Sequence, residues 1–563
     1  MSRKIRNPII PGYYPDPSMI RVGDDFYLVN SSFELSPALP VFHSRDLVHW
    51  EQICNAMTEE NGFYVEKNCG VGGVMAPTLR YYDGVYYIIN CNFGDRGNFI
   101  ITAANPAGPW SKPHYLTDVP GIDASMFIDD DGQFYVMGTG DVWDNGAGQM
   151  ERGIWLAKYD IKNFRMASEP VTIWNSALRV GSSPEAPHIY HVGDYYHLII
   201  AEGGTEHYHA VMSARSKDLF GFYEGNPANP VLTHRHMGFS CPVTNVGHAD
   251  LVELKDGSWW AVMLASRLID GKCKNLGRET FACPVVWERD WPLFTPESGR
   301  VLEEYDLPEC LASAYDEAMT REDIAGPAAV SDAEEVTEVS QVYIDDFDSD
   351  ELPLHLVFWG TPGEKFWRIE DSALRLRCIK QKLDEELQPM GFDFVRKPGR
   401  YAAFVSRRQC QPNVTFSAAM KFTPLEAESA GVAIVQAMNH QIHFERAVSE
   451  GQQVLRLVVV SADYAQPPYF PGFTSETHRR VLCEKPWESD EAVLGMELNG
   501  EDFQFFAGED EDHMEFFAKA DGTEINPEKV GCMVGTMLGV YATGGGEDSQ
   551  NEAAFDWIRY EES

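Results

Sequence analysis

Apolar runs and polar turns alternate along the chain, and one arrangement returns five times. An Asp-Gly or Gly-Asp turn followed by an aromatic run occurs at Gly23-Asp24 (Phe26-Tyr27-Leu28-Val29), Asp83-Gly84 (Tyr86-Tyr87-Ile88-Ile89) and Asp131-Gly132 (Phe134-Tyr135-Val136-Met137). It recurs at Gly193-Asp194 (Tyr195-Tyr196-His197-Leu198-Ile199) and Asp256-Gly257 (Trp259-Trp260-Ala261-Val262). Asp-Gly between two apolar runs signals a hairpin, because the tightest hairpin turns need φ > 0. A self-similar unit repeating every ~50–60 residues reads as propeller blades. Five units predict a five-bladed β-propeller over residues 1–310, a radial layout that leaves only short, protected sheet edges.

The pattern then lapses. Residues 311–340 are small, acidic and without periodicity, as in Ala325-Gly326-Pro327-Ala328-Ala329, and read as a linker. Over 341–563 short alternating strands resume without the blade unit, for example Leu374-Arg375-Leu376-Arg377, Val432-Ala433-Ile434-Val435 and Phe503-Gln504-Phe505-Phe506. They predict an antiparallel β-sandwich. The expected fold class is all-β, a propeller followed by a sandwich, and 563 residues suit two cores better than one.

The turns also point to chemistry. Eight residues before Asp24, Asp83, Asp131 and Asp256 stand Asp16, Met75, Asp123 and His248, and nine before Asp194 stands Glu185. If the blades are equivalent, these positions meet where the innermost strands approach the central axis. Three are carboxylates and one is a histidine, and titratable groups converging in a concave site define a candidate active site. Asp16 lies between Pro15 and Pro17, which stiffen the chain leading into its strand.

Charge narrows the ligand. A net charge of −41 disfavours nucleic acid, anionic membrane surfaces and polyanionic substrates, and leaves a neutral ligand. No run of 18 apolar residues exists to span a membrane, and no apolar signal core follows Met1, so a soluble cytoplasmic protein is expected. The 11 cysteines form no Cys-x-x-Cys pair, so neither a disulfide framework nor a zinc site is suggested. Walker, dinucleotide, His-Glu-x-x-His and Gly-x-Ser-x-Gly motifs are missing. A homo-oligomer is compatible with the composition. Axial acids facing a neutral ligand suggest glycosidic bond cleavage, which needs two carboxyl groups in opposite protonation states. A third carboxylate beside the acid raises its pKa by like-charge repulsion.

An ordered set of motifs makes the resemblance specific. Gly12-Tyr13-Tyr14-Pro15-Asp16-Pro17-Ser18, His43-Ser44-Arg45-Asp46-Leu47-Val48-His49-Trp50, Ile122-Asp123-Ala124-Ser125 and Ser183-Pro184-Glu185-Ala186-Pro187-His188 resemble glycoside hydrolase family 43. So do Ala201-Glu202-Gly203-Gly204-Thr205, Gly247-His248-Ala249-Asp250 and Leu276-Gly277-Arg278-Glu279-Thr280. The second half is similar to the sandwich appended to β-xylosidases and α-L-arabinofuranosidases of that family. The resemblance implies an inverting exo-glycosidase without an organic cofactor. It would release terminal β-1,4-linked D-xylose from neutral pentose oligosaccharides, with α-L-arabinofuranosidase activity as an addition or an alternative.

By motif, Asp16 is the general base, Glu185 the general acid and Asp123 the carboxylate that orients Glu185 and raises its pKa. Arg278 matches an arginine that binds the sugar, although alone it also reads as a strand-end ion pair. His248 fits a place under the site, reaching the carboxylates through water or a cation such as Ca²⁺, and reads almost equally as a core histidine. Phe33 would stack on the sugar or is plain core. Many family xylosidases carry Trp-Ala-Pro-Asp where this chain has Met75-Ala76-Pro77-Thr78, so one sugar platform is altered. A retaining fructan hydrolase would want Asn-Asp-Pro-Asn-Gly in the first blade, which is not there. A non-catalytic carbohydrate-binding propeller would normally have lost one carboxylate.

Overall fold

The computed structural model describes residues 3–67, 72–93, 95–144, 148, 150–175, 183–238, 240–320, 341–385, 399, 401–464, 475–530 and 533–563. Five antiparallel sheets of four or five strands form the blades. Their innermost strands are Ser18–Val22, Thr78–Tyr82, Ile122–Ile128, Glu185–Val192 and Val243–Glu253. Each packs against the next, and the first packs against the last, so the ring closes. Lys4–Arg6 pairs antiparallel with Glu304–Asp306 and ties the start of the ring to its end. Aromatic runs after the turns become second strands, and the alternate residues Phe26 and Leu28, or Tyr86 and Ile88, fill the layers between blades.

The start of the expected linker is ordered on the propeller. Glu309–Leu311 and the helix Ala312–Ala318 bury Leu311 and Tyr315, and Asp316 accepts from Arg3 Nε and Nη2 at 2.9 and 2.7 Å. A single helix of 7 residues is too short for an apolar period to register in sequence. Residues 321–340 lie outside the described residues. Among the described residues no helix is long and apolar enough to cross a membrane.

The second half is a sandwich of two eight-stranded sheets. Strand Ser429–Ala437 is buried along its whole length. Alternation explains why: Val432 and Ile434 face the sandwich core, while Ala433 and Val435 face the propeller. The same sheet ends in a strand from the first half of the chain. Leu35–Ser36 pairs with Val357–Trp359, and Trp359 Nε1 donates to Glu34 Oε2 at 2.7 Å. The two halves therefore share a sheet as well as an apolar cluster, which joins Tyr13, Phe33, Leu35 and Met75 to Trp359, Phe404, Val435 and Met537.

Candidate active site

The blades bring Asp16, Asp123, Glu185, His248 and Arg278 into one electrostatic neighbourhood on the propeller axis. The blade equivalence differs from the sequence count in two places. Ser18, Thr78, Ser125, His188 and Asp250 hold the same place in their strands, paired with Val29, Ile89, Met137, Ile199 and Val262. The positions two before them are Asp16, Ala76, Asp123, Ala186 and His248, so Met75 and Glu185 each stand one residue earlier. The backbone agrees: Asp16, Asp123, Ala186 and His248 have φ of 54°, 51°, 51° and 57°. Ladder irregularities mark the same places in the last three of these blades. A kink of this kind re-aims the side chains on either side of it, and such left-handed strain collects at functional sites. Glu185 thus reaches the axis from the residue before the kink.

Asp16 is buried and fully engaged. Arg278 Nη1 donates to its Oδ1 at 2.9 Å, Ser31 Oγ to its Oδ2 at 2.6 Å, and His248 Nδ1 stands 3.6 Å from Oδ1. The segment before it is braced by Asn30, whose amide donates to the carbonyls of Tyr14 and Pro15 at 2.9 and 3.0 Å. Burial pushes the Asp16 carboxyl up, but Arg278, His248 and Ser31 outweigh it and hold it below the usual carboxylate range.

Glu185 is the opposite case. Burial and the neighbouring Asp123 push its carboxyl up to about 8, and Arg152 and Arg278 offset only part of this. Asp123 is itself raised by burial, with His248 pulling it down and Asp16 pushing it up. Asp123 Oδ2 accepts from the Ala186 amide at 3.2 Å, and Thr139 Oγ1 donates to the Pro184 carbonyl at 2.5 Å. Both peptides flanking Glu185 are therefore fixed. Around neutral pH the site holds a carboxylate at Asp16 and a protonated carboxyl at Glu185, the two states that acid–base cleavage requires.

Phe33 and Met75 form the apolar side. The Arg278 guanidinium lies 5.1 Å from the Phe33 ring centre, and Tyr13 stacks on Phe33 at 5.9 Å. Phe33 has φ of 47° and bridges Val74 through the backbone. Gly73 opposite has φ of 90°, and a Cβ there would sit 2.0 Å from the Phe33 carbonyl oxygen. Gly73→Ala is expected to lower unfolding stability by about 2 kcal/mol or more and to raise KM, measured by denaturant titration and steady-state kinetics.

Three groups had no role predicted from the sequence, although Thr205, Ser18, Ser125, His188 and Asp250 lie within the motifs above. Thr205 Oγ1 accepts from Arg278 Nη1 at 3.2 Å. His209 is buried beside Asp16 and His248; its Nδ1 donates to the Asn245 carbonyl at 2.8 Å, and burial lowers the ring's pKa to about 3. Below the carboxylates lies a polar layer. Asp250 accepts from Ser18 Oγ at 2.6 Å and Arg80 Nη1 at 3.0 Å, and His188 Nδ1 accepts from Arg80 and Ser125 at 3.0 and 3.1 Å. Regular alternation does not link this layer to the carboxylates, because the left-handed residues Asp16, Asp123 and His248 interrupt it two positions before Ser18, Ser125 and Asp250.

Among the described residues, no group of three or more His, Cys, Asp or Glu side chains close enough to share one ion includes His248. Among the described residues the candidate metal group is Asp129, Asp130 and His191, away from these carboxylates. A hard cation taking six to eight oxygens would have to be supplied mainly by water beside His248, and no step below uses one.

A five-bladed propeller with this carboxylate constellation defines a glycoside hydrolase. Residues 5–292 match the family model Glycosyl hydrolases family 43, and residues 344–561 match Beta xylosidase C-terminal Concanavalin A-like domain. The chain belongs to glycoside hydrolase family 43. It is 35% identical over 561 residues to a xylosidase/arabinosidase of Butyrivibrio fibrisolvens, covering 99% of each chain. It is likewise 35% identical to a non-reducing end alpha-L-arabinofuranosidase of Bacteroides ovatus, covering 99% of this chain and 95% of that one. A solved xylan beta-1,4-xylosidase from Bacillus halodurans superposes with a TM-score of 0.80 at 26% identity, covering 99% and 100%.

Proposed function

We propose that the protein is an inverting exo-glycosidase that removes terminal β-1,4-linked D-xylose from short neutral oligosaccharides. The observation that carries this is the opposed state of two carboxyls on one axis, Asp16 held ionised and Glu185 held protonated. In this reading Glu185 protonates the leaving oxygen while Asp16 takes a proton from the attacking water. Asp123 keeps Glu185 protonated and fixes the peptide after it, Arg278 and Thr205 bind sugar hydroxyls, and Phe33 forms the apolar wall. Hydrolysis consumes only water and needs no organic cofactor. The nine described cysteines form no disulfide, which suits a reducing compartment, and we place the enzyme in the cytoplasm.

Met75 favours a second reading, an α-L-arabinofuranosidase, alone or as a second activity. It replaces a stacking tryptophan of many family xylosidases with a flexible side chain, now packed beside Phe33. Initial rates on an aryl β-D-xylopyranoside and an aryl α-L-arabinofuranoside, side by side, test both readings. Release of xylose, arabinose or both supports hydrolysis and sets the preference; binding without release from either supports a carbohydrate-binding module instead.

Asp123→Asn removes the like charge beside Glu185. The alkaline limb of the pH–rate profile is then expected to move to lower pH, because Glu185 gives up its proton more readily. An unmoved limb would show that burial alone holds Glu185 protonated.

A further inference from the structure

Arg278 follows a stretch in which Lys274, Asn275 and Gly277 meet the sandwich. Asn275 is buried, and its carbonyl accepts from Gln436 Nε2, Thr536 N and Thr536 Oγ1 at 2.9, 2.9 and 2.8 Å. Its side-chain amide donates to Glu501 Oε2 at 3.1 Å. Lys274 Nζ lies 3.4 Å from Glu528 Oε1 of the sandwich and 3.0 Å from Glu206 Oε2 of the fourth blade. Glu206 follows Thr205, the residue that receives Arg278 Nη1. Gly277 has φ of 78°, and a Cβ there would lie 2.5 Å from the Val534 carbonyl oxygen.

The approach to Asp16 leans on the same stretch. Tyr13 OH donates to the Met533 carbonyl at 2.6 Å, and Arg408 Nε donates to the Tyr13 carbonyl at 2.7 Å. The two members of the Arg278–Asp16 pair therefore arrive on segments seated against residues 533–536, while the loop that receives the guanidinium is tied through Glu206 to Lys274.

We propose that Lys274 and Asn275, clamped by Thr536, Gln436 and Glu528, are positioning residues through which the sandwich aims Arg278 at Asp16. They act through Arg278, and the proposal rests on the hydrolase reading above. It predicts a signature that simple adhesion between the domains would not give. Arg278 is the strongest attraction that keeps Asp16 ionised against its burial. If the guanidinium drifts, Asp16 holds its proton to higher pH, and the acid limb of kcat/KM moves up with it.

The test uses the full chain with Lys274→Met, the pair Thr536→Val with Gln436→Met, and Thr536→Ser as the conservative control. kcat/KM against pH and the unfolding midpoint are measured for each, on whichever aryl glycoside the wild type cleaves faster. Lys274→Met and the paired variant are expected to lose about 10-fold in kcat/KM with the acid limb displaced to higher pH, whereas Thr536→Ser keeps the wild-type profile. Unchanged kcat/KM, or lost rate and stability with an unmoved acid limb, overturns the proposal. A wild type without turnover fails the hydrolase reading instead. Xylobiose affinity is then the readout, expected to fall about 10-fold in the same variants, and unchanged affinity overturns the positioning role.

Discussion

Asp16→Asn is expected to lower kcat by about 10³-fold on any glycoside the wild type cleaves, the scale of a lost general base. The amide keeps the shape of the carboxylate, with its oxygen accepting from Arg278 and its NH2 donating to a reoriented Ser31 Oγ, but it cannot take a proton from water. A second effect follows from the ion pair. Arg278 and Asp16 side chains are each 5% exposed, so the variant leaves a guanidinium buried against a neutral group. That should cost up to roughly 3 kcal/mol of stability. Circular dichroism and an unfolding curve separate the two effects, since a folded variant with the rate loss isolates the proton transfer. A folded Asp16→Asn enzyme with near-wild-type kcat would remove Asp16 from the reaction.

Glu185→Gln is expected to divide substrates by their leaving groups. Oligosaccharides and alkyl glycosides, whose leaving oxygen needs a proton, should lose about 10³-fold in kcat. A 2,4-dinitrophenyl glycoside needs no proton to depart and should lose far less. The pH profile adds an independent sign. With its carboxyl raised to about 8, Glu185 is protonated below that pH and loses its proton above it. Wild-type activity on poor leaving groups should therefore fall on the alkaline side, and that limb should vanish in Glu185→Gln. Equal losses on both kinds of substrate would point to a general disturbance of the pocket rather than a missing acid.

The propeller and the three acids were legible because both depend on local pattern. Hairpin turns set the blade spacing, and turn-to-axis distance is a property of one strand, so Asp16, Asp123 and His248 fall at one structural position. Glu185 was found by allowing an extra residue, and the structure gives that allowance a cause: Ala186 occupies the kinked position and Glu185 precedes it. Met75 and Ala76 show the same offset, which a count from the turn cannot detect. What remained hidden depends on contacts between distant parts of the chain. The pairing of Leu35–Ser36 with Val357–Trp359, the docking of Asn275 on Thr536 and the bond from Tyr13 to Met533 join segments hundreds of residues apart. Their sequence signals are strands of two and three residues, a glycine and ordinary polar side chains. Thr205 and His209 lie in a loop whose path is set by its neighbours, so no periodicity marks them.

The configuration of the first sugar released tests the central account most directly. Proton NMR during hydrolysis of an aryl β-D-xylopyranoside resolves the anomers before mutarotation mixes them. With Asp16 activating water on the face opposite the bond that Glu185 protonates, α-D-xylopyranose should appear first, with the β anomer growing in afterwards. β-D-Xylopyranose as the initial product would mean double displacement through a covalent intermediate, and would contradict the roles assigned to Asp16 and Glu185.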